Sequence, residues 1–219
     1  MDFYLDTADI NQIKEIDEWG ILRGVTTNPS IIAKTGRDYK DAVSEVLSIM
    51  GNRHVSVETL KDDAEIIVEQ GKKYREWGNN VVVKVATTEE GLKALSKLRK
   101  LGIPTNATLI FSLNQGILAA EAGANYISPF VGRLDDIGSD GIGLVEDCVN
   151  YVEENGLDCK IISASLRSPQ HLEESAKVGA HIATCPCSLL KKALKHPLND
   201  IGLKAFLNDW EEAKKKLGK

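Results

Sequence analysis

The chain alternates short apolar segments with longer segments in which apolar residues recur every three or four positions. Short apolar runs are typical of buried strands, and the longer period is typical of amphipathic helices. The clearest short run is Val81–Ala86, in which Lys84 lies among four valines and an alanine. Because strand side chains alternate between two faces, the run predicts that Val82, Lys84 and Ala86 share one face.

Eight apolar segments predict eight strands, at residues 3–5, 25–28, 54–57, 81–86, 103–110, 125–128, 160–165 and 181–184. Each is followed by a helical segment, and a last helix is expected over about 203–217. This order predicts an α/β protein, with residues 1–219 forming a single (β/α)8 TIM barrel domain and an extra C-terminal helix. A doubly wound open sheet is the alternative, but it would normally have about five or six strands and a clear switch point.

Two helix starts can be predicted from capping patterns. Thr87 and Glu90 have the spacing of a capping box, which would begin the helix after the Lys84 strand. Ser168 and Pro169 are suited to the N-cap and the first position of the helix after the seventh strand.

Composition and charge narrow the possible functions. The 219 residues include 32 acidic and 27 basic side chains, for a net charge of −5, without a basic block. We therefore expect no nucleic-acid or membrane-surface partner. No apolar run approaches the ~20 residues of a membrane span, and strand-like sequence begins at Phe3, so we expect a cytoplasmic protein without a signal peptide. The four cysteines are expected to be reduced and structural, with no metal site.

Polar side chains collect where the predicted strands end, and in a barrel these ends form the rim that carries active sites. The rim residues are Asp6, Thr26, Asn28, Glu58, Lys84, Asn106, Thr108, Ser128, Arg133, Ser165 and Arg167. Each has an ordinary explanation by itself: Asp6 could cap a helix, and Lys84 and Glu58 could form a structural ion pair. Their shared location favours a functional site.

The rim residues suit carbonyl chemistry. A lysine held among apolar neighbours binds its proton less tightly, and a neutral amine can attack a carbonyl to form an imine. Asp6 and Glu58 are the carboxylates that could then move protons while a carbon–carbon bond breaks. The groups that could hold substrate hydroxyls or a water are Asn28, Asn106 and Thr108.

Arg133, Arg167 and Ser165 indicate an anion site. Arg167 lies just before the predicted helix start at Ser168, after the seventh strand, where barrels often bind phosphate. A single surface arginine is usually only solvated, so it is the pair of arginines beside a helix start that favours phosphate binding.

Six motifs in chain order resemble those of the transaldolase family. They are LDTA at 5–8, GVTTNPS at 24–30, VKV at 83–85, NATL at 106–109, SPFVGR at 128–133 and ASLR at 164–167. The resemblance covers essentially the whole chain, and the short length is similar to that of the small-subunit transaldolases.

The resemblance implies a role for each rim residue. Lys84 would form a Schiff base with a ketose phosphate, Asp6 would assist carbon–carbon cleavage, and Glu58 with Thr108 would hold the water used for proton transfer. The sugar would be bound by Thr26, Asn28, Asn106, Ser128 and Phe130, and its phosphate by Arg133, Ser165 and Arg167.

The reaction implied is one of the pentose phosphate pathway. A dihydroxyacetone unit moves from sedoheptulose 7-phosphate or fructose 6-phosphate to glyceraldehyde 3-phosphate or erythrose 4-phosphate, without a metal or organic cofactor. Sugar phosphates would be the partners, and the resemblance also implies a ring-like homo-oligomer such as a decamer.

Two positions bear on the choice between sibling activities. The related fructose 6-phosphate aldolases, which release free dihydroxyacetone, carry glutamine where this chain has Glu58 and tyrosine where it has Phe130. An ionised carboxylate can act as a base and a glutamine amide cannot, so both positions favour transaldolase. The aldolase and a non-catalytic sugar-phosphate-binding barrel are the remaining alternatives.

Overall fold

The computed structural model describes residues 1–217, in which eight parallel strands form a closed barrel. The strands are β1 Asp2–Asp6, β2 Leu22–Thr26, β3 His54–Glu58, β4 Val81–Ala86, β5 Thr105–Ile110, β6 Tyr126–Pro129, β7 Lys160–Ser163 and β8 Ile182–Cys185. Each strand pairs with the next along the chain, and β8 pairs with β1 to close the barrel. The predicted (β/α)8 barrel is therefore confirmed, and the open doubly wound sheet is wrong.

Over residues 1–217, eleven helices connect the strands or follow them. They are α1 Ile10–Asp17, α2 Pro29–Ala33, α3 Tyr39–Met50, α4 Ala64–Arg75, α5 Glu89–Lys100, α6 Leu113–Glu121, α7 Val131–Asp135, α8 Gly141–Glu154, α9 Pro169–Lys177, α10 Cys187–Ala193 and α11 Pro197–Lys216. The connections from β2 to β3 and from β6 to β7 each contain two helices. No helix within the described range is long and apolar enough to cross a bilayer.

One predicted helix start is confirmed and the other is wrong by one residue. Helix α9 begins at Pro169 as predicted, with its N-cap one residue earlier. Helix α5 is instead capped by Thr88, whose hydroxyl accepts from the Gly91 backbone N–H. The reason is that Thr87 still belongs to the sheet side of the junction, since its backbone N–H and its hydroxyl both donate to the carbonyl of Thr108.

Strand β7 is shorter than its predicted segment of 160–165. Ser165 has a φ of 60°, in the left-handed region, so the backbone cannot continue as an extended strand there. Leu109, near the end of β5, also has a φ of 60°, and the register between β5 and β6 shifts at this point. Both departures lie at the carboxyl end of the barrel, where the predicted rim residues lie.

The strand residues pack in two layers, one outside the barrel wall and one inside it. On β4 the three odd-numbered valines are fully buried in the outer core, whereas Val82 points inward. The predicted division of this strand into two faces is therefore confirmed. The inward residues form a separate cluster, here called the barrel floor: Tyr4, Val82, Tyr126, Ile162 and Ile182.

Gly24 on β2 makes room for the floor. A Cβ at this position would lie 2.3 Å from Cζ of the Tyr4 ring, so any side chain would displace that ring. The floor thus depends on a glycine for its close packing.

Helix α11 contains the predicted last helix but begins earlier, at Pro197. None of its residues is buried, so it does not cover the barrel. Its exposed large apolar side chains are Leu198, Ile201, Leu203, Phe206, Leu207 and Trp210. The homo-oligomer implied by the family resemblance stays a prediction.

Candidate active site

A cavity of about 110 Å³ opens at the carboxyl ends of the strands, above the barrel floor. It is lined by Asp6, Thr26, Asn28, Lys84, Thr108, Ser128, Phe130, Arg133, Ala164, Ser165 and Thr184. The structure therefore brings most of the predicted site residues together around one space. Three predicted residues, Glu58, Asn106 and Arg167, do not line it.

Lys84 lies at the centre of the site and is only 5% exposed. Its Nζ is 3.0 Å from Oε2 of Glu58 and donates a hydrogen bond of 3.1 Å to the carbonyl of Thr27. The pair forms because Glu58 and Lys84 are directly opposite each other in the parallel register of β3 and β4. The ion pair that the sequence allowed between Lys84 and Glu58 is therefore present, and the Glu58 carboxylate can accept a proton from the Lys84 ammonium.

Asp6 lies in the same cavity, and its Oδ1 accepts a hydrogen bond of 2.8 Å from the Thr26 hydroxyl. Burial raises the pKa of Asp6 above its ordinary value, because the carboxylate loses contact with water. The Lys84 ammonium and the Thr26 hydroxyl oppose this rise in pKa, and the Glu58 charge adds to it. A partly buried carboxyl with a raised pKa suits a group that both takes and returns a proton.

Thr184 is a cavity residue that the sequence reasoning missed. Its Oγ1 is 2.6 Å from Oγ1 of Thr26, so it extends the hydrogen bonds that reach Asp6. The eighth strand was predicted to end at Thr184, so the alternation used for the other strands could have placed this hydroxyl on the rim.

Asn106 lies beneath the cavity surface and is fully buried. Its Oδ1 accepts from the Ser128 hydroxyl at 2.7 Å, and its Nδ2 donates to the Ser56 hydroxyl at 3.2 Å. Asn106 therefore orients Ser128, which does line the cavity. Asn28 also lines it, while its Oδ1 accepts from the backbone N–H of Ile31 and caps α2.

Thr108 lines the cavity, and its buried hydroxyl has no hydrogen-bond partner within residues 1–217. A buried hydroxyl in this condition costs about 1–3 kcal/mol, which a bound water or substrate group would relieve. The left-handed backbone at Leu109 follows immediately, so the strand ends its regular alternation just after this side chain.

The opposite wall of the cavity carries the predicted anion site. The Arg133 guanidinium lies 5.1 Å from the centroid of the Phe130 ring, and both residues line the cavity together with Ser165. The Arg167 side chain instead forms an ion pair with Asp136 and is half-exposed. Arg133 and Ser165 thus line the cavity as predicted, whereas Arg167 is turned towards a carboxylate.

Among solved structures, the fold is similar to that of a crystal structure of inosine 5′-monophosphate dehydrogenase from Legionella pneumophila. The TM-score is 0.61 with 15% sequence identity, over 86% of this chain and 58% of that chain. At this identity the similarity concerns the barrel fold alone.

Sequence comparisons are far more specific. The family described as Transaldolase/Fructose-6-phosphate aldolase matches residues 3–217. A probable transaldolase from Hydrogenobaculum sp. is 51% identical over 216 residues, 99% of each chain, and one from Aquifex aeolicus has the same identity and coverage. Probable transaldolase 2 from Listeria monocytogenes is 51% identical over 218 residues, 100% of each chain. The chain therefore belongs to the transaldolase/fructose-6-phosphate aldolase family.

Proposed function

We propose that this protein is a transaldolase, which transfers a dihydroxyacetone unit between sugar phosphates through a Schiff base on Lys84. The observation that carries the proposal is a buried amine with a carboxylate 3.0 Å away, in a cavity that also holds Asp6. An amine nucleophile beside a proton acceptor is what imine formation requires. The names of the full-length relatives support the same assignment.

In the proposed first half, Lys84 passes a proton to Glu58, and its free amine attacks the C2 carbonyl of a ketose phosphate. The carbonyl oxygen takes one proton from the attacking nitrogen and one back from Glu58 and leaves as water, and a protonated imine forms. The unpaired Thr108 hydroxyl and the Glu58 carboxylate hold that water. This role gives Thr108 a partner for its buried hydroxyl.

In the proposed second half, Asp6 takes the proton of the C4 hydroxyl and the C3–C4 bond breaks. The electron pair of that bond moves into the imine, leaving a three-carbon enamine on Lys84 and a free aldose phosphate. When an acceptor aldose phosphate binds, the enamine attacks its aldehyde and Asp6 returns the proton to the new hydroxyl. A water then hydrolyses the re-formed imine, which releases the product ketose phosphate and restores Lys84. The raised pKa of Asp6 suits this exchange in both directions.

The remaining cavity residues are proposed to hold the substrate. The hydroxyls of the three-carbon unit contact Ser128, Thr26 and Asn28, with Asn106 holding Ser128 in place. The phosphate binds Arg133 and Ser165 at the other wall, and Arg167 joins them when it leaves Asp136.

Two residues support transfer of the dihydroxyacetone unit to an acceptor over its release as free dihydroxyacetone. The family includes aldolases as well as transaldolases, and the aldolases carry glutamine and tyrosine where this chain has Glu58 and Phe130. Glu58 is a carboxylate in direct contact with Lys84, and the Phe130 ring presents no hydroxyl to the cavity. An enamine without a tyrosine proton donor nearby is expected to persist until an aldehyde arrives.

The test is to measure glyceraldehyde 3-phosphate release from fructose 6-phosphate, with and without erythrose 4-phosphate. Release only with the acceptor, together with a borohydride-trapped adduct on Lys84, supports the proposal. Comparable release without it, alongside free dihydroxyacetone, supports the aldolase instead. Substrate binding with no trapped adduct would instead support a non-catalytic sugar-phosphate-binding barrel. Lys84→Met is the matched variant, because it keeps an unbranched side chain one atom shorter but has no amine.

A further inference from the structure

Three side chains form a continuous chain of hydrogen bonds along one wall of the cavity, here called the hydroxyl chain. Oγ1 of Thr184 is 2.6 Å from Oγ1 of Thr26, which in turn donates to Oδ1 of Asp6 at 2.8 Å. Thr26 is 2% exposed and Thr184 is 4% exposed, so bulk water does not compete strongly for either hydroxyl. The chain crosses the closure of the barrel, since its members come from β1, β2 and β8.

Counting protons fixes the direction of the hydroxyl chain. An ionised carboxylate can only accept, so Thr26 must give its single hydroxyl proton to Asp6. Thr26 then has none left for its other neighbour, and Thr184 must be the donor in the 2.6 Å contact. When Asp6 is protonated and donates to Thr26, the direction reverses, and Thr184 loses an acceptor for its own proton.

We propose that Thr184 is a positioning residue for Asp6, because its donated hydrogen bond holds the Thr26 hydroxyl towards the carboxylate and so favours the ionised form. The catalytic consequence rests on the proposed function, but the effect on the Asp6 carboxyl does not. Successive hydrogen bonds in a buried chain also strengthen one another, so the outer link acts on the inner one.

Several other groups face Asp6, and a change at Thr184 leaves them in place. Lys84 on β4 and Glu58 on β3 act across the cavity in opposite directions. Behind Asp6, burial raises the pKa of the Cys185 thiol to about 12, so it remains uncharged. A second cleft that also includes Asp6 carries exposed charges of both signs, namely Lys14, Lys34, Arg37, Asp9 and Glu45.

The decisive experiment is a ¹³C NMR titration of the Asp6 carboxyl in Thr184→Val, with the signal assigned by its loss in Asp6→Asn. The expected result is a rise of the midpoint by roughly half a pH unit to one unit, the equivalent of one hydrogen bond. Thr184→Ser keeps a hydroxyl and should restore the wild-type midpoint. Thr105→Val is the matched control, because Thr105 is a buried barrel threonine without a hydrogen-bond partner in the described range.

The activity profile provides a second reading. If ionised Asp6 is the base, the acid limb of kcat should move to higher pH by the same amount in Thr184→Val. A merely structural role would lower the amount of active protein without moving the limb. If the wild type transfers nothing, the proposed function fails while the titration still decides the role of Thr184.

Two results would overturn the proposal. One is an unchanged Asp6 midpoint in folded Thr184→Val, and the other is a Thr184→Ser midpoint that matches the valine variant. If Thr184→Val does not fold, Thr184→Ala is titrated in its place with the same two criteria.

Discussion

The buried pair of Lys84 and Glu58 can be tested by a double-mutant cycle on stability. The side chains are 7% and 16% exposed, and the charged atoms are 3.0 Å apart. Glu58→Gln and Lys84→Met each remove one charge while keeping nearly the same volume. The double variant removes both charges, so the cycle isolates the interaction between them.

The structure sets the size of the expected coupling. At 3.0 Å the gross attraction is about 5.5 kcal/mol for an effective dielectric constant near 20, and desolvation of both groups offsets much of it. Lys84→Met should lower the free energy of unfolding by about 3 kcal/mol, because Asp6 loses its cation as well. Glu58→Gln should lower the free energy of unfolding by about 2 kcal/mol, since Lys84 still has the Asp6 carboxylate as an opposite charge. The double variant should lose about 3 kcal/mol, which leaves a coupling of about 2 kcal/mol.

The measurement is urea unfolding at pH 7 and one protein concentration, followed by circular dichroism. Equal slopes with urea are required before the midpoints are compared. The exposed pair of Lys72 and Glu69 is the matched control, and its coupling should be near zero. If the two single-variant losses at the buried pair sum to the loss of the double variant within about 0.5 kcal/mol, the pair does not form. The proposed proton transfer would then lose its basis.

The loss of stability in Lys84→Met should also depend on pH. In the wild type the pKa of Asp6 is raised on folding, so its contribution to stability is complete below the unfolded pKa of about 3.9. This contribution is lost as pH rises through the folded pKa. Removing Lys84 removes a charge that lowers this pKa, so the deficit of Lys84→Met should grow between about pH 4 and pH 7. A deficit that shrinks over this range would contradict the assigned charge on Asp6.

Three further outcomes are expected. Thr105→Val should raise the free energy of unfolding by about 1 kcal/mol, because it removes a buried hydroxyl that has no partner in residues 1–217; a loss of stability would indicate a hidden partner. Gly24→Ala should cost about 1–3 kcal/mol in thermal unfolding, because its Cβ displaces the Tyr4 ring; a neutral result would mean that the floor can shift. Glu58→Gln combined with Phe130→Tyr should increase dihydroxyacetone release without an acceptor, and unchanged acceptor dependence would refute the two-position argument.

The features that could be predicted from sequence are those set by periodic burial. The eight strands could be predicted because each one buries an apolar face, and simple alternation placed Lys84 on the same face as Val82, which the structure shows to be the inner one. Once the strands close into a barrel, their ends must meet, so the rim residues could be grouped without any known distance.

The features that could not be predicted depend on register and on competition between partners. A Lys84–Glu58 pair was one of the alternatives that the sequence allowed, but only the register of β3 and β4 places the two residues opposite each other, and a single sequence does not reveal that register. The Arg167 side chain could contact either a bound anion or the neighbouring carboxylate of Asp136, and in the structure it contacts Asp136. The left-handed backbone at Leu109 could not be predicted either, because glycine is the residue that usually indicates this conformation and Leu109 is not a glycine.

The barrel floor and the cavity are built from alternate positions of the same strands. Floor and cavity residues alternate as Tyr4 and Asp6, Val82 and Lys84, Tyr126 and Ser128, and Ile182 and Thr184. The residues that pack the barrel interior and the residues that face the cavity therefore lie in separate layers, two positions apart along each strand. Phe130 lines the cavity and Glu58 pairs with Lys84 of the same layer, so the two residues proposed to favour transfer over release can be changed without touching the floor.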